Sequence, residues 1–153
     1  MWEPIQRFGN WLRRFLRERT PGWEGANAAE APSTREKGRR SEKVARWYLE
    51  KHGYRIIETN WWAPGRRGEL DVIACKHDTL IAIEVKSYPV GELTPREALS
   101  RDKARRLVSL LKQYAKSHRH LDCSLRIDLL LVEWEELGKI GEIRHIKNAV
   151  AGG

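Results

Sequence analysis

The sequence predicts an α/β domain, a mixed β-sheet flanked by helices, with an amphipathic helix added in front. Three observations point there. Two apolar segments of strand length, ELDVIAC at 69–75 and TLIAIEVK at 79–86, follow one another across a short polar break. Segments of helical periodicity stand before and after this pair. A further apolar run, LRIDLLLVE at 125–133, follows the second helix. Strands and helices in that order build helix layers on a sheet.

In chain order, residues 4–19 place Ile5, Phe8, Trp11, Leu12, Phe15 and Leu16 at helical spacing, with Arg7, Arg13, Arg14 and Arg17 on the other side. Pro21 and Gly22 stop this helix, and 20–37, rich in Ala, Gly, Pro and charge, reads as a linker. Residues 1–37 are thus an N-terminal extension, and 38–150 are the globular domain. Its first helix is expected over 41–52, with Gly53 as the stop and Val44, Ala45, Tyr48 and Leu49 facing inward. A strand at 54–58 and a loop at 60–68, punctuated by Pro64, Gly65 and Gly68, lead into the two strong strands. The polar segment 76–78 between those strands marks a hairpin. A long basic helix is expected over 101–117, with Ala104, Leu107, Val108, Leu111, Tyr114 and Ala115 as its buried stripe. Strands at 125–133 and 142–147 complete the order: helix, three strands, helix, two strands.

Composition narrows the function classes. The 153 residues suit one domain with a real core. No apolar run approaches the ~20 residues of a transmembrane helix. The arginines in residues 1–19 break any secretory signal, so a cytoplasmic location is expected. Cys75 and Cys123 lack CxxC spacing, which leaves no zinc site or disulfide framework. They read as small buried hydrophobes in a reducing compartment. The 29 Lys and Arg outnumber 21 Asp and Glu for a net charge of +8. That balance suits a polyanionic partner, nucleic acid or an anionic membrane.

The residues that carry chemistry lie on the two strong strands. Side chains alternate along a strand, so Glu84 and Lys86 share a face. If the hairpin pairs Cys75 with Leu80, Asp71 lies opposite Glu84 on that face. A three-residue loop would put the two carboxylates on opposite faces. Facing carboxylates ~5 Å apart repel by roughly 3 kcal/mol at an effective dielectric of ~20. A divalent cation such as Mg²⁺, which takes one or two carboxylates plus waters and phosphate oxygens, removes that conflict. It would polarise a phosphodiester and activate a bound water. Lys86 would orient the water and offset developing negative charge. The plainer alternative is a solvated strand carrying a cross-strand ion pair.

The run GRRSEKVARWYLEKHGYRIIETNWWAPGRRGELDVIA, followed by TLIAIEVK, resembles the YraN-like family of bacterial predicted endonucleases. That family belongs to the PD-(D/E)xK, restriction-endonuclease-like group and is similar to archaeal Holliday junction resolvases. The likeness covers roughly 38–150. It includes the pattern A-x-x-Y-L-E-x-x-G-Y, then Asn60-Trp61, Gly68-Glu69-Leu70-Asp71 and Glu84-Val85-Lys86. Arg126-Ile127-Asp128, and His145-Ile146 before Asn148-Ala149, also match. The resemblance implies that Asp71, Glu84 and Lys86 are catalytic. It implies that Asp71, Glu84 and the helix carboxylate Glu42 hold Mg²⁺ or Mn²⁺. Glu69 could share the face of Asp71. Ser41 stands where the family usually has Gly, Leu70 where the motif's name has Pro, and Ser87-Tyr88 where Thr-Arg is frequent.

Two basic groups are expected to grip DNA phosphates. One is Arg66 and Arg67, beside Trp61 and Trp62. The other is Arg101, Lys103, Arg105 and Arg106 on the long helix. The expected function is therefore metal-dependent hydrolysis of DNA phosphodiester bonds. The likeness to resolvases implies branched or structured DNA and a homodimer. The alternative is a non-catalytic nucleic-acid-binding module with a nuclease-like fold. Residues 4–19 are expected to dock on a partner or on the domain, or on an anionic membrane surface.

Overall fold

A computed structural model describes residues 33–92, 95–120, 122–135 and 139–150; the expected helix at 4–19 lies outside them. The expected order of elements is present. Helix α1 (Thr34–Lys51) leads into strand β1 (Arg55–Trp62), then the hairpin strands β2 (Glu69–Lys76) and β3 (Thr79–Pro89). One helical turn (Pro95–Ala98) precedes helix α2 (Arg101–Ser117), and strands β4 (Ser124–Trp134) and β5 (Ile140–Ile146) follow. Among the described residues, no helix is long and apolar enough to cross a membrane.

Helix α1 begins seven residues before the expected start, inside the stretch read as linker. The reason is local. Ser33 Oγ accepts a hydrogen bond from the Glu36 N–H, the Ser-x-x-Glu spacing of a helix start, and Arg40 pairs with Glu36 one turn on. The other end closes as expected. Gly53 takes a left-handed φ of 79°, while Gly53 N–H and Tyr54 N–H donate to the carbonyls of Glu50 and Leu49. Strand β1 also runs further than expected, through Asn60, Trp61 and Trp62, because Trp61 and Trp62 pair with Leu70 and Glu69.

The sheet order is β1-β2-β3-β4-β5. β3 and β4 run parallel, joined by the α2 crossover, and the other neighbours are antiparallel. Helix α1 covers one face, where Val44, Ala45, Tyr48 and Leu49 meet Val72, Ala74, Ile81 and Ile83. Helix α2 covers the other, where Leu107, Leu110, Leu111 and Tyr114 meet Leu70, Ile73, Leu80 and Ala82. Each fully buried Leu or Ile contributes about 1.5–3 kcal/mol, so both helices are fixed by their apolar stripes. Gly68 lets β2 begin against α2, since a Cβ there would lie 2.8 Å from Leu110 Cδ1.

The polar departures from the family pattern have structural uses. Ser41 is buried and accepts from Trp134 Nε1 at 2.9 Å. Tyr88 is buried too, and its hydroxyl takes Arg144 Nη2 at 2.6 Å. Cys75 and Cys123 are free and half-buried rather than fully enclosed.

A carboxylate pair at a fork in the sheet

The hairpin turns tightly at His77 and Asp78, with Lys76 paired to Thr79 and Cys75 to Leu80. Counting outward brings Asp71 opposite Glu84, the closer of the two registers open from sequence. The backbone ladder between β2 and β3 stops one step earlier, at Val72 and Ile83. Beyond it β2 stays with β1 as far as Glu69, while β3 stays with β4 as far as Pro89. The sheet therefore forks at Asp71 and Glu84. Asp71 Oδ2 bridges the fork by accepting the Val85 N–H at 2.9 Å, in place of a ladder carbonyl.

Glu84 is 3% exposed, on the face covered by α2. A buried carboxylate is costly unless charges and hydrogen bonds compensate it. Its Oε1 has two ammonium partners, Lys86 Nζ and Lys103 Nζ, each at 3.3 Å. Its Oε2 is buried and has no partner. Asp71 feels the same shortage. Burial, and next the neighbouring Glu84 charge, push its carboxyl up to about 7, against the lowering effects of Val85 N–H and Lys103. Glu69 is also raised, first by burial and then by Glu42, with Glu84 adding to it. Four acids thus share one end of the sheet.

The fork brings together Asp71, Glu84 and Lys86. Glu42 comes to it from α1, lining a pocket of about 210 Å³ together with Asp71, Thr59 and Asn60. Among the described residues, no three acidic, histidine or cysteine side chains gather closely enough to form an all-protein cage for a metal ion. The donor set fits a hard cation that keeps most of its waters: two carboxylates, one of them with a bare buried oxygen.

The basic residues divide. Lys103, expected among phosphate contacts, is instead drawn to Glu84 from the first turn of α2. Ser100 caps that turn by accepting the Lys103 N–H, which fixes where the lysine starts. Arg101, Arg105 and Arg106 stay exposed, Arg105 beside Asp102. Arg66 and Arg67 are exposed in the β1–β2 loop, and the Arg66 guanidinium lies 5.3 Å from the ring of Trp62, itself 45% exposed. Trp61 packs inward, edge-on to Tyr114. Sequence reasoning missed Arg39, Lys43 and Arg46, which line the same pocket as Asp71. Their spacing of four and three residues was a readable signal, but it looks the same on any solvated helix face.

The chain is similar to known proteins over most of this domain. The profile of the uncharacterised protein family UPF0102 matches residues 41–132, from the start of the buried part of α1 to β4. A UPF0102 protein of Parabacteroides distasonis is 39% identical over 114 residues, covering 73% of this chain and 89% of its own. One of Geobacter metallireducens is 32% identical over 113 residues, with the same coverage of each chain. One of Alkaliphilus oremlandii is 37% identical over 111 residues, covering 71% of this chain and 92% of its own.

Proposed function

The chain belongs to the uncharacterised protein family UPF0102, the YraN-like family it resembles in sequence, and we propose that it is a metal-dependent endonuclease hydrolysing DNA phosphodiester bonds. One observation carries this reading. At the fork, the Glu84 charge bears on the Asp71 carboxyl, one buried oxygen of Glu84 is unpartnered, and two lysines crowd its other oxygen. A divalent ion held by Asp71 and Glu84, with Glu42 beside them, would supply Lewis-acid polarisation of the phosphate and a water activated for attack.

The chain's own groups do the rest. Lys86 and Lys103 present two ammonium charges where negative charge develops on the phosphoryl oxygens. Burial of Glu84 lowers the local dielectric and strengthens both interactions. Asp71 is held in place by the Val85 N–H, so its free oxygen keeps one direction. Arg66, Arg67, Arg101, Arg105 and Arg106 would contact phosphates further along, without reading sequence. The likeness to junction resolvases favours branched DNA and a homodimer with two sites across a junction.

A non-catalytic binding module is the rival reading. It has no use for an under-compensated carboxylate pair where phosphate must approach, since that pair repels DNA. The deciding experiment is cleavage of labelled linear, flapped and four-way-junction DNA with Mg²⁺, Mn²⁺ or EDTA, by wild type and Glu84→Ala. Cutting that needs metal and vanishes in the variant is expected, and the substrate ranking would name the class. Salt-sensitive binding without cutting in any metal would leave the binding module standing.

A further inference from the structure

Helix α1 carries a row of cations that the proposed reaction does not use. Arg39, Lys43 and Arg46 lie four and three residues apart and so share one helical face. All three are exposed, and none has an ion-pair or hydrogen-bond partner among the described residues. Their neighbour Arg40, by contrast, is paired with Glu36. Like charges at these spacings repel and do not stabilise a helix, so the row is not there to support α1. It does not lie over a convex surface. Arg39, Lys43 and Arg46, with Glu42 among them, line from α1 the pocket of about 210 Å³ that reaches Asp71, and Thr59 and Asn60 of β1 line it too.

We propose that this row and pocket bind the backbone phosphates of the DNA strand on the α1 side of the scissile bond, which Lys86 and Lys103 meet from the α2 side. This rests on the nuclease reading and names how its substrate is held. The dimensions agree. Seven residues of helix span about 10 Å at ~1.5 Å per residue. One strand of a duplex presents a phosphate every ~3.4 Å along its axis, so the row faces about three in succession. The chemistry agrees as well. Two guanidinium groups can each take two phosphate oxygens, while the lysine between them acts as a mobile point charge. The contact is with backbone, so it adds affinity and register but no base preference.

The test is DNA binding by the full chain in EDTA, followed by fluorescence anisotropy of labelled single-stranded and duplex DNA across a salt series. The triple variant Arg39→Gln/Lys43→Gln/Arg46→Gln is compared with Arg55→Gln/Lys112→Gln/Lys116→Gln, which removes the same charge from exposed positions elsewhere. The first variant is expected to bind roughly 30-fold more weakly, with the slope of log K against log salt reduced by about two to three. The second is expected to lose less than about threefold, since it removes no close phosphate contact. Lys43→Gln alone should lower the slope by about one, which checks the result with minimal disturbance of the helix. Equal losses in the two triple variants would overturn the proposal and make the row a solvated face. If that happened while wild type still cut DNA, the row alone would fall. A wild type that bound no DNA at any salt would sink both the row and the nuclease.

Discussion

Asp128 and the pair Asp71–Glu84 occupy the same sheet and are treated oppositely. Asp128, on β4, is fully buried. Its Oδ1 receives Arg126 Nε at 2.8 Å and Asn148 N–H at 2.9 Å; its Oδ2 receives Arg126 Nη2 and pairs with His145 Nε2, both at 2.8 Å. Burial by itself would raise the carboxyl, but the bonds from His145, Arg126 and Asn148 outweigh it and hold the group below its ordinary range. Asp71 has one such bond and is raised to about 7, and Glu84 keeps one oxygen bare. Both motifs, Arg-Ile-Asp and Glu-Val-Lys, look alike as charge on an apolar strand. The difference lies in donors supplied from other elements. Asp128 is completed by β5 and the chain after it, and the network is finished without a ligand. The fork leaves its acids short of positive charge, a shortage that a bound cation would make good.

The contrast yields predictions, the largest on activity. Glu84→Ala or Lys86→Ala should lower kcat on the preferred DNA by about 10³-fold or more. The thermal midpoint should stay level or rise in Glu84→Ala, which removes the under-compensated buried carboxylate, and fall in Lys86→Ala, which removes one of its two cationic partners. Activity surviving in Glu84→Ala would erase the distinction. Asp128→Ala should do the reverse. It strands the buried His145 ring and the half-buried Arg126 without their shared acceptor, at a cost of roughly 3–5 kcal/mol, and should lower the thermal midpoint by roughly 10–20 °C. Any activity loss there should follow the unfolded fraction in calorimetry.

Next in size, Lys103→Ala should reduce kcat about tenfold or more with little change in DNA affinity, whereas Arg105→Ala should weaken affinity alone. Single-turnover kinetics separates the two, and matching phenotypes would return Lys103 to the phosphate contacts expected from sequence.

The smallest effect is on stability against pH in EDTA. Asp71 has a folded pKa above its unfolded value near 3.8. The folded state therefore binds the extra proton, and the contribution of Asp71 falls as pH rises from about 4 to about 7. Urea unfolding should show Asp71→Asn gaining on wild type, by about 1 kcal/mol or more, across that window. Asp128, with its pKa depressed, stabilises above its unfolded value and loses this as pH falls through the folded one. Asp128→Asn should accordingly narrow its deficit only in acid. Parallel pH curves for the two variants would contradict the assignment of opposite roles.

Much of this was legible in the sequence because it is local. Periodicity marked both helices, apolar runs marked the strands, and the alternation of a strand put Glu84 and Lys86 on one side. The start of α1 was misjudged because its Ser33-to-Glu36 cap sits in a stretch whose composition resembles a linker. Tyr88 and Ser41 stood out in sequence only as differences from the family resemblance, and are buried hydrogen-bond partners of Arg144 and Trp134.

What the sequence determined by itself, then, was the order of elements, the family pattern and the identity of the acids and lysine, since each depends on spacing within one segment. Only the tertiary structure decided that β2 and β3 part at Asp71, that Lys103 crosses from α2 to Glu84, that Arg39, Lys43 and Arg46 overlook the same pocket, and that Asp128 is a completed network. Those facts depend on which donors and charges long-range packing brings together, and no spacing along one chain encodes that.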